Sequence, residues 1–444
     1  MTRKITRRTL SLGAAALLAS CSQHAPEARA QGPEANWPRA TYPLRVEGRH
    51  LVDADGRPFL LHGDTAWSLI AELDRDECET YLEDRRRRGF NTILVNLIEH
   101  RFAQRPPENA FGVAPFTRGD FSRPVDAYFD HARWCVERAA EKGMLVLLVP
   151  VYLGYNGGGE GWYQEALRNG RDRLRAFGRY VGERFRDQPN ILWVQGADYN
   201  PPERWTVTAV VEGMHEANAP QLMSAHCGPE TSARAFWGDA DWIDVNTLYT
   251  YSPVYRGARA EYARNEPFFL IESSYEGAPR DLNPRRQRAQ AYGALLSGAC
   301  GHMFGNVDVW HYDGPGVVER TLPWRTALDS AGSRAMTHLR TLFDQLDWPA
   351  LVPDPENDFL LDLPGDGSSA VVLARNARNA ILYIPTPREF RLDLARLEGG
   401  VVAARWWNPV AGGFSEPRQL QGGRNQAFTT PPPGQDWVLV LQSV

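Results

Sequence analysis

The chain has 444 residues, of which 43% are hydrophobic, 11% aromatic and 23% charged, with a formal net charge of −5. It is too apolar to be disordered and too long for one small core, and its acidic balance excludes a broad nucleic-acid-binding surface. Fourteen Trp, 16 Tyr and 18 Phe are many for this length, and aromatic-lined ligand clefts are one use for them and ordinary core packing the other.

The first 20 residues carry Arg3, Lys4, Arg7 and Arg8, no acid, and a small apolar run over 10–19. This pattern predicts an export signal, too short to span a bilayer. Arg7-Arg8 before Thr9-Leu10-Ser11-Leu12 fits a twin-arginine signal. Leu18-Ala19-Ser20-Cys21 fits a lipobox, with Cys21 as the lipidated first residue. The alternative is a soluble periplasmic or secreted protein cleaved after Ala28-Arg29-Ala30. The expectation is an exported bacterial protein, periplasmic or held at the outer membrane as a lipoprotein, that meets membrane only through Cys21. Residues 21–41, rich in Gln, Ala, Pro, Glu and Gly, read as a flexible tether. Without residues 1–20 the charge falls to −9.

Residues 42–58, with the turn Asp53-Ala54-Asp55-Gly56, predict a hairpin. Eight short apolar runs follow, at 59–62, 92–97, 145–151, 191–195, 222–225, 243–246, 268–271 and 302–306. Near-continuous apolar runs are what strands buried on both faces of a parallel sheet look like. Helical periodicity separates them, at 76–88, 125–142, 171–185, 202–217, 284–297 and 324–346. The first two of these helices end at Gly89 and Gly143, and Arg85 to Arg88 read as a solvated basic last turn. The predicted fold class is α/β: a (β/α)₈ barrel over 42–348, the lead-in hairpin included. An open doubly wound sheet is the alternative, but no Gly-rich phosphate loop follows the first strand.

After Trp348 the pattern changes to short alternating strands, at 369–375, 380–383, 390–392, 401–408 and 437–442. These predict a C-terminal antiparallel β-sandwich over 352–444. Cys78, Cys135, Cys227 and Cys300 lie far apart, without metal-ligand spacing. They read as buried thiols, with a disulfide as the alternative and no zinc site expected.

A barrel places its chemistry at the C-terminal ends of its strands. Those ends hold His62, Asp64 and Trp67; Asn96, Glu99 and His100; Tyr152 and the loop 156–162 with Trp162; Asp198 and Tyr199; His226; Tyr249 and Tyr251; Glu272 and Glu276; and Asp308 and Trp310. Carboxylates among rings suit sugar handling, in which one acid protonates the leaving oxygen and one carboxylate meets the oxocarbenium-like centre. Asp198 and Glu272 each follow an apolar strand directly, and strands four and seven face each other across the mouth. They are the predicted catalytic pair, with Glu276 as the rival to Glu272. A carboxyl separation of about 5–5.5 Å means retention of configuration and about 6.5–9.5 Å inversion. The remaining residues of that set are candidate substrate contacts. No metal or organic cofactor is needed for such chemistry.

Leu60-Leu61-His62-Gly63-Asp64-Thr65-Ala66-Trp67, with Tyr81-Leu82 and Arg88-Gly89-Phe90-Asn91-Thr92, resembles the opening of the apiosidase-like glycoside hydrolases. Arg405-Trp406-Trp407-Asn408-Pro409-Val410-Ala411-Gly412-Gly413 resembles the C-terminal module of that family, which is labelled a collagen-binding domain of a collagenase. The resemblance implies a barrel hydrolase with an appended sandwich, acting on side chains of pectic polysaccharide and releasing apiose. It also implies that Gly196-Ala197-Asp198 carries the acid/base and Glu272 the nucleophile. Related retaining barrels place Asn-Glu where this chain has Ala197-Asp198. The functional expectation is a monomeric glycoside hydrolase of oligo- or polysaccharide substrates. The alternatives are a non-catalytic glycan- or matrix-binding lipoprotein and an endo-acting glucanase or mannanase.

Overall fold

The computed structural model describes residues 37–278, 283–354 and 358–444. The export signal, Cys21 and tether residues 22–36 lie outside the described residues. Residues 37–41, read above as the end of the tether, lie against the barrel floor. There Trp37 Nε1 donates to the Arg87 carbonyl at 3.2 Å and Arg39 Nη1 to that of Glu141 at 3.1 Å. Three short antiparallel strands, Arg45–Glu47, His50–Val52 and Pro58–Phe59, form the lead-in.

The barrel strands are β1 (Leu61–Thr65), β2 (Thr92–Asn96), β3 (Leu145–Val149), β4 (Ile191–Gly196), β5 (Met223–His226), β6 (Asn246–Tyr249), β7 (Phe268–Glu272) and β8 (Gly301–Phe304). They pair in parallel from β5 back to β1, and on through β8 and β7 to β6. A short antiparallel strand, Thr231–Ser232, is added beyond β6. Side chains stitch the β5–β6 seam: Ser224 Oγ donates to the Val245 carbonyl at 2.6 Å, and Asp244 Oδ2 accepts from Met223 N at 2.8 Å.

Helices cover the outside. Helix Arg75–Arg87 starts with a capping box between Asp74 and Glu77, which satisfies donors that the first turn leaves open. Its basic last turn is not uniformly solvated. Arg85 is buried, with its guanidinium 3.2 Å from the Asp64 carboxylate.

Two expected boundaries move. The sixth strand begins at Asn246 instead of ending there, because its first two residues are polar and the apolar signal of 243–245 precedes it. The helix expected over 324–346 is two, Trp324–Ala327 and Ala331–Phe343, since Ser330 caps the second by accepting from Ser333 N.

The C-terminal module has a six-stranded antiparallel sheet, Val352–Pro353, Val372–Arg375, Asn379–Ile384, Trp437–Ser443, Val401–Trp407 and Arg418–Gln421 in spatial order. A two-stranded sheet, Glu389–Asp393 with Asn425–Thr429, completes the sandwich. Both faces of the larger sheet are buried. Leu373, Leu382, Leu439 and Leu441 pack inside the sandwich. Ile381, Tyr383, Trp407, Val438 and Val440 share one core with the barrel helices. Each such side chain contributes about 1.5–3 kcal/mol relative to exposure.

Polar contacts fix the angle of that junction. Arg288 grips Asp436 with two bonds of 2.7 Å, Tyr383 donates to the same carboxylate at 2.9 Å, and Tyr292 stacks on Tyr383 at 4.9 Å. The Asn408–Gly413 turn is part of the junction too. Asn408 Oδ1 accepts from Val410 N and Ala411 N, and Gly412 lies so close to His338 that a Cβ there would stand 2.7 Å from the imidazole.

Candidate active site

Alternation along a strand decides what reaches the barrel mouth. On β1, Leu61 belongs to the barrel interior, whereas His62 and Asp64 face the helices. The His62 ring stacks on Phe90 at 4.8 Å, and its Nδ1 lies 3.0 Å from His302 Nε2. Asp64 accepts from Tyr81 at 2.7 Å and pairs with Arg85. Burial pushes the Asp64 carboxyl up, and Arg85 and Tyr81 oppose that. Trp67, past the strand end, does line the mouth.

The mouth is a cavity of about 620 Å³. Among the candidates, Trp67, Asn96, Tyr152, Asp198, Tyr249, Tyr251, Glu272 and Trp310 line it. Arg101, Phe102, Tyr155, Glu160, His311, Pro315, Gly316 and Val317 also line it, none of them among the candidate contacts. Tyr155 and Glu160 come from the Gly-rich loop after β3, which was a readable signal. Gly161 closes that loop so tightly that a Cβ would stand 2.1 Å from Gly154 N. Arg101 and Phe102 extend the β2 end, and no periodicity marks the loop bearing Val317.

The Glu272 carboxylate and the Asp198 backbone meet at one imidazole. His226 Nε2 lies 2.9 Å from Glu272 Oε2, and the Asp198 backbone N–H donates to His226 Nδ1 at 3.0 Å. His226 Nδ1 also lies 3.0 Å from the Cys227 carbonyl, while Nε2 donates its proton toward Glu272. Burial alone would lower the His226 pKa, but the Glu272 hydrogen bond and charge, with the Asp198 charge, raise it. Asp198 is presented by an unusual backbone: Gly196, Ala197 and Asp198 have φ of 79°, 102° and 60°. Left-handed conformations at two non-glycine residues are strained, and surrounding structure must hold them. Asp198 Oδ2 accepts from Tyr152 at 3.2 Å, while Oδ1 is buried without a protein partner. Burial first, and the nearby charge of Glu272 second, push the Asp198 carboxyl up to about 7. It is therefore poised to give a proton near neutrality.

Rings brace the cavity. Trp67 Nε1 donates to Tyr275 at 2.9 Å, Tyr275 packs on Trp310 at 4.4 Å, and the Tyr249 and Tyr251 hydroxyls are 2.7 Å apart. Behind Asn96, Glu99 accepts from Ser68 at 3.0 Å, from Asn96 Nδ2 at 3.3 Å and from the His100 N–H at 2.9 Å. That holds Asn96 with its Oδ1 lacking a protein partner.

The other candidates lie elsewhere. His100 faces Glu165 at 3.3 Å. Trp162 is buried against His100, Phe116 and Phe121. Tyr199 packs on Tyr163 at 5.0 Å. Asp308 accepts from Thr321 N and Oγ1 at 2.6 and 2.9 Å, anchoring the segment that brings Val317 to the cavity. Glu276 accepts from Asn306 Nδ2 at 3.1 Å and Gly332 N at 2.7 Å, at the start of helix Ala331–Phe343. A Cβ on Gly332 would sit 2.6 Å from that carboxylate, so glycine makes room for it. Cys78, Cys135, Cys227 and Cys300 are buried and unpaired.

Comparison with known proteins places the chain in a family and a fold. The family model described as "Apiosidase-like, catalytic domain" matches residues 45–350. That described as "Putative collagen-binding domain of a collagenase" matches 352–442. A solved glycoside hydrolase superposes with a TM-score of 0.80 at 23% identity, covering 91% of this chain and 99% of its own. A glycoside hydrolase family 5 structure from Bacteroides vulgatus ATCC 8482 gives 0.80 at 22% identity, covering 90% and 93%. These likenesses are of fold. None of the curated proteins matches the chain.

Proposed function

The chain belongs to the apiosidase-like glycosidases, and from that membership we propose a retaining, exo-acting hydrolase that removes terminal sugars from polysaccharide side chains, with apiose on pectin as the first substrate to try. One observation carries the mechanism: Asp198 and Glu272 line one cavity, His226 holds Glu272, and the Asp198 carboxyl is raised to about 7.

In the first step protonated Asp198 gives its proton to the glycosidic oxygen while Glu272 attacks the anomeric carbon. The C–O bond breaks, the aglycone leaves as an alcohol, and a glycosyl ester forms on Glu272. In the second step the Asp198 carboxylate takes a proton from water, whose oxygen attacks the anomeric carbon and releases Glu272. His226 is the positioning residue: its Nε2–H fixes Oε2 of Glu272. Among the described residues no hydrogen bond is made to Oε1, the oxygen assigned to the attack. The loop bearing Tyr155 and Glu160 and the segment bearing Val317 wall the sides of the cavity, which favours a chain end over a threaded chain. Export through the twin-arginine signal, with Cys21 as anchor, suits an enzyme whose polymer substrate stays outside the cell.

The test is incubation with pectic polysaccharide and analysis of released monosaccharide, with the product anomer read by proton NMR. Release of the β or α anomer matching the substrate supports retention. Inverted product overturns the nucleophile, and oligosaccharide products overturn exo action.

A further inference from the structure

Glu99 is a buried carboxylate that takes no part in the proposed chemistry. Its Oε1 accepts from the backbone N–H groups of His100, Arg101 and Phe102 at 2.9, 3.3 and 3.3 Å. Its Oε2 accepts from Ser68 Oγ at 3.0 Å and from Asn96 Nδ2 at 3.3 Å. Burial pushes this carboxyl up, and the donors around it oppose that. Donors on both oxygens favour the ionised form.

Ser68 Oγ has a second neighbour, His311 Nδ1, at 2.7 Å. A hydroxyl has one proton and a carboxylate can only accept, so that proton goes to Glu99. His311 then donates Nδ1–H to Ser68 Oγ. Burial lowers the His311 pKa to about 3, so the ring is neutral and its Nε2 is a bare lone pair. Among the described residues nothing bonds that nitrogen, and the Phe102 ring stacks on the imidazole at 4.3 Å. The same logic orients Asn96. Its Nδ2 is spent on Glu99, and its Oδ1 is buried without a protein partner. Asn96 and His311 both line the catalytic cavity.

We infer that Glu99, through Ser68 and Asn96, sets His311 Nε2 and Asn96 Oδ1 as two hydrogen-bond acceptors that read free hydroxyl groups of the bound sugar. Neither atom can donate in this arrangement, so each selects a group with a proton to give. A hydroxyl meets that need, whereas an ether, an ester oxygen or a fluorine leaves the acceptor unpaired, at a cost in binding. This rests on the glycosidase reading above and narrows its substrate to sugars unsubstituted at the hydroxyls that meet these atoms. Glu99 and Ser68 are positioning residues; Asn96 and His311 are the groups that meet the sugar. Glu99→Gln should invert the arrangement. The three backbone N–H groups keep the amide oxygen on their side, so the amide nitrogen replaces Oε2 and donates to Ser68. Ser68 then donates to His311 Nδ1, the ring carries its proton on Nε2, and Asn96 turns its oxygen to the new amide. One isosteric change converts both acceptors into donors.

The test reads the ring directly, by nitrogen NMR of the full-length protein with isotope-labelled histidines, the His311 signal being assigned by its loss in His311→Asn. The resting wild type should show a protonated Nδ1 and a bare Nε2. Glu99→Gln should move the proton to Nε2, and Ser68→Ala, which only breaks the bridge, should leave a mixture of tautomers. A wild-type ring protonated at Nε2, or a ring that keeps its proton on Nδ1 in both variants, overturns the inference. The same signal reports binding as the methyl glycosides of apiose, arabinose and galactose are titrated in, followed by deoxyfluoro analogues that lack one hydroxyl each. Fluorine at the contacted hydroxyl should weaken binding to the wild type about tenfold and to Glu99→Gln about twofold or less. Equal fluorine penalties in the two proteins, or no displacement of the His311 signal by any free glycoside, overturn the recognition. The tautomer is read without turnover, so it stands even if the wild type cleaves no glycoside. Sugar release by a wild type whose Nε2 is protonated overturns this inference alone.

Discussion

Buried carboxylates occur both at the barrel mouth and at the joints of the scaffold, and their companions differ. Asp64 faces Arg85, and Asp436 faces Arg288 through two bonds. Glu272 bonds His226, which Asp198 meets only through its backbone N–H, and among the described residues no guanidinium pairs with either carboxylate. A carboxylate gripped by arginine is an immobile joint between elements. A buried pair without such a cation resists double ionisation, so one member holds a proton near neutrality. On the proposed mechanism, that difference separates chemistry from architecture more cleanly than burial does.

That contrast can be broken at several points. Asp198→Ala and Glu272→Ala should each lower kcat about 10³-fold or more, with circular dichroism unchanged; a variant that keeps a tenth of the activity would erase the distinction. Arg288→Ala leaves Asp436 buried without its cation and should cost about 3–5 kcal/mol in urea unfolding. Asp198→Asn should act in the opposite direction. The raised pKa means that native Asp198 keeps its proton up to about pH 7, whereas in the unfolded chain it ionises near pH 4. Wild-type stability therefore falls as pH rises across that window, and the neutral Asn removes the loss. The variant should be about 1–3 kcal/mol more stable at pH 8, with a smaller gain at pH 5; equal gains would show that Asp198 is not protonated in the native state. The same titration predicts that wild-type kcat/KM declines on the alkaline side near pH 7. The smallest effect is expected for Glu276→Gln, about 1–2 kcal/mol of stability from the helix start with kcat unchanged. A large loss of kcat there would restore Glu276 as the rival of Glu272.

The strand-and-helix rhythm and the change of texture at residue 348 were legible because both follow from hydrophobic periodicity. The placement of Asp198 and Glu272 at the barrel mouth was legible because each residue ends an apolar strand. What the sequence hid was parity. His62 and Asp64 stand in the same stretch as Trp67, yet the pleat turns them toward the helices. Glu99, Glu276 and Asp308 looked like substrate contacts because strand ends favour function, but each spends its oxygens on neighbouring backbone or side-chain donors. Arg85 hid in a run of four arginines, and only the position of Asp64 tells it apart. The sixth strand was misplaced by its polar start at Asn246 and Thr247.

The larger sandwich sheet, with one face in its own module and the other against the barrel, has a consequence for how the molecule comes apart. Calorimetry should record one heat-absorption peak for residues 37–444, with no separate step for the C-terminal module. A chain cut near residue 350 would bare the aromatic surface around Tyr292 and self-associate. Detached from the barrel, the module would keep the burial of only one face of its larger sheet.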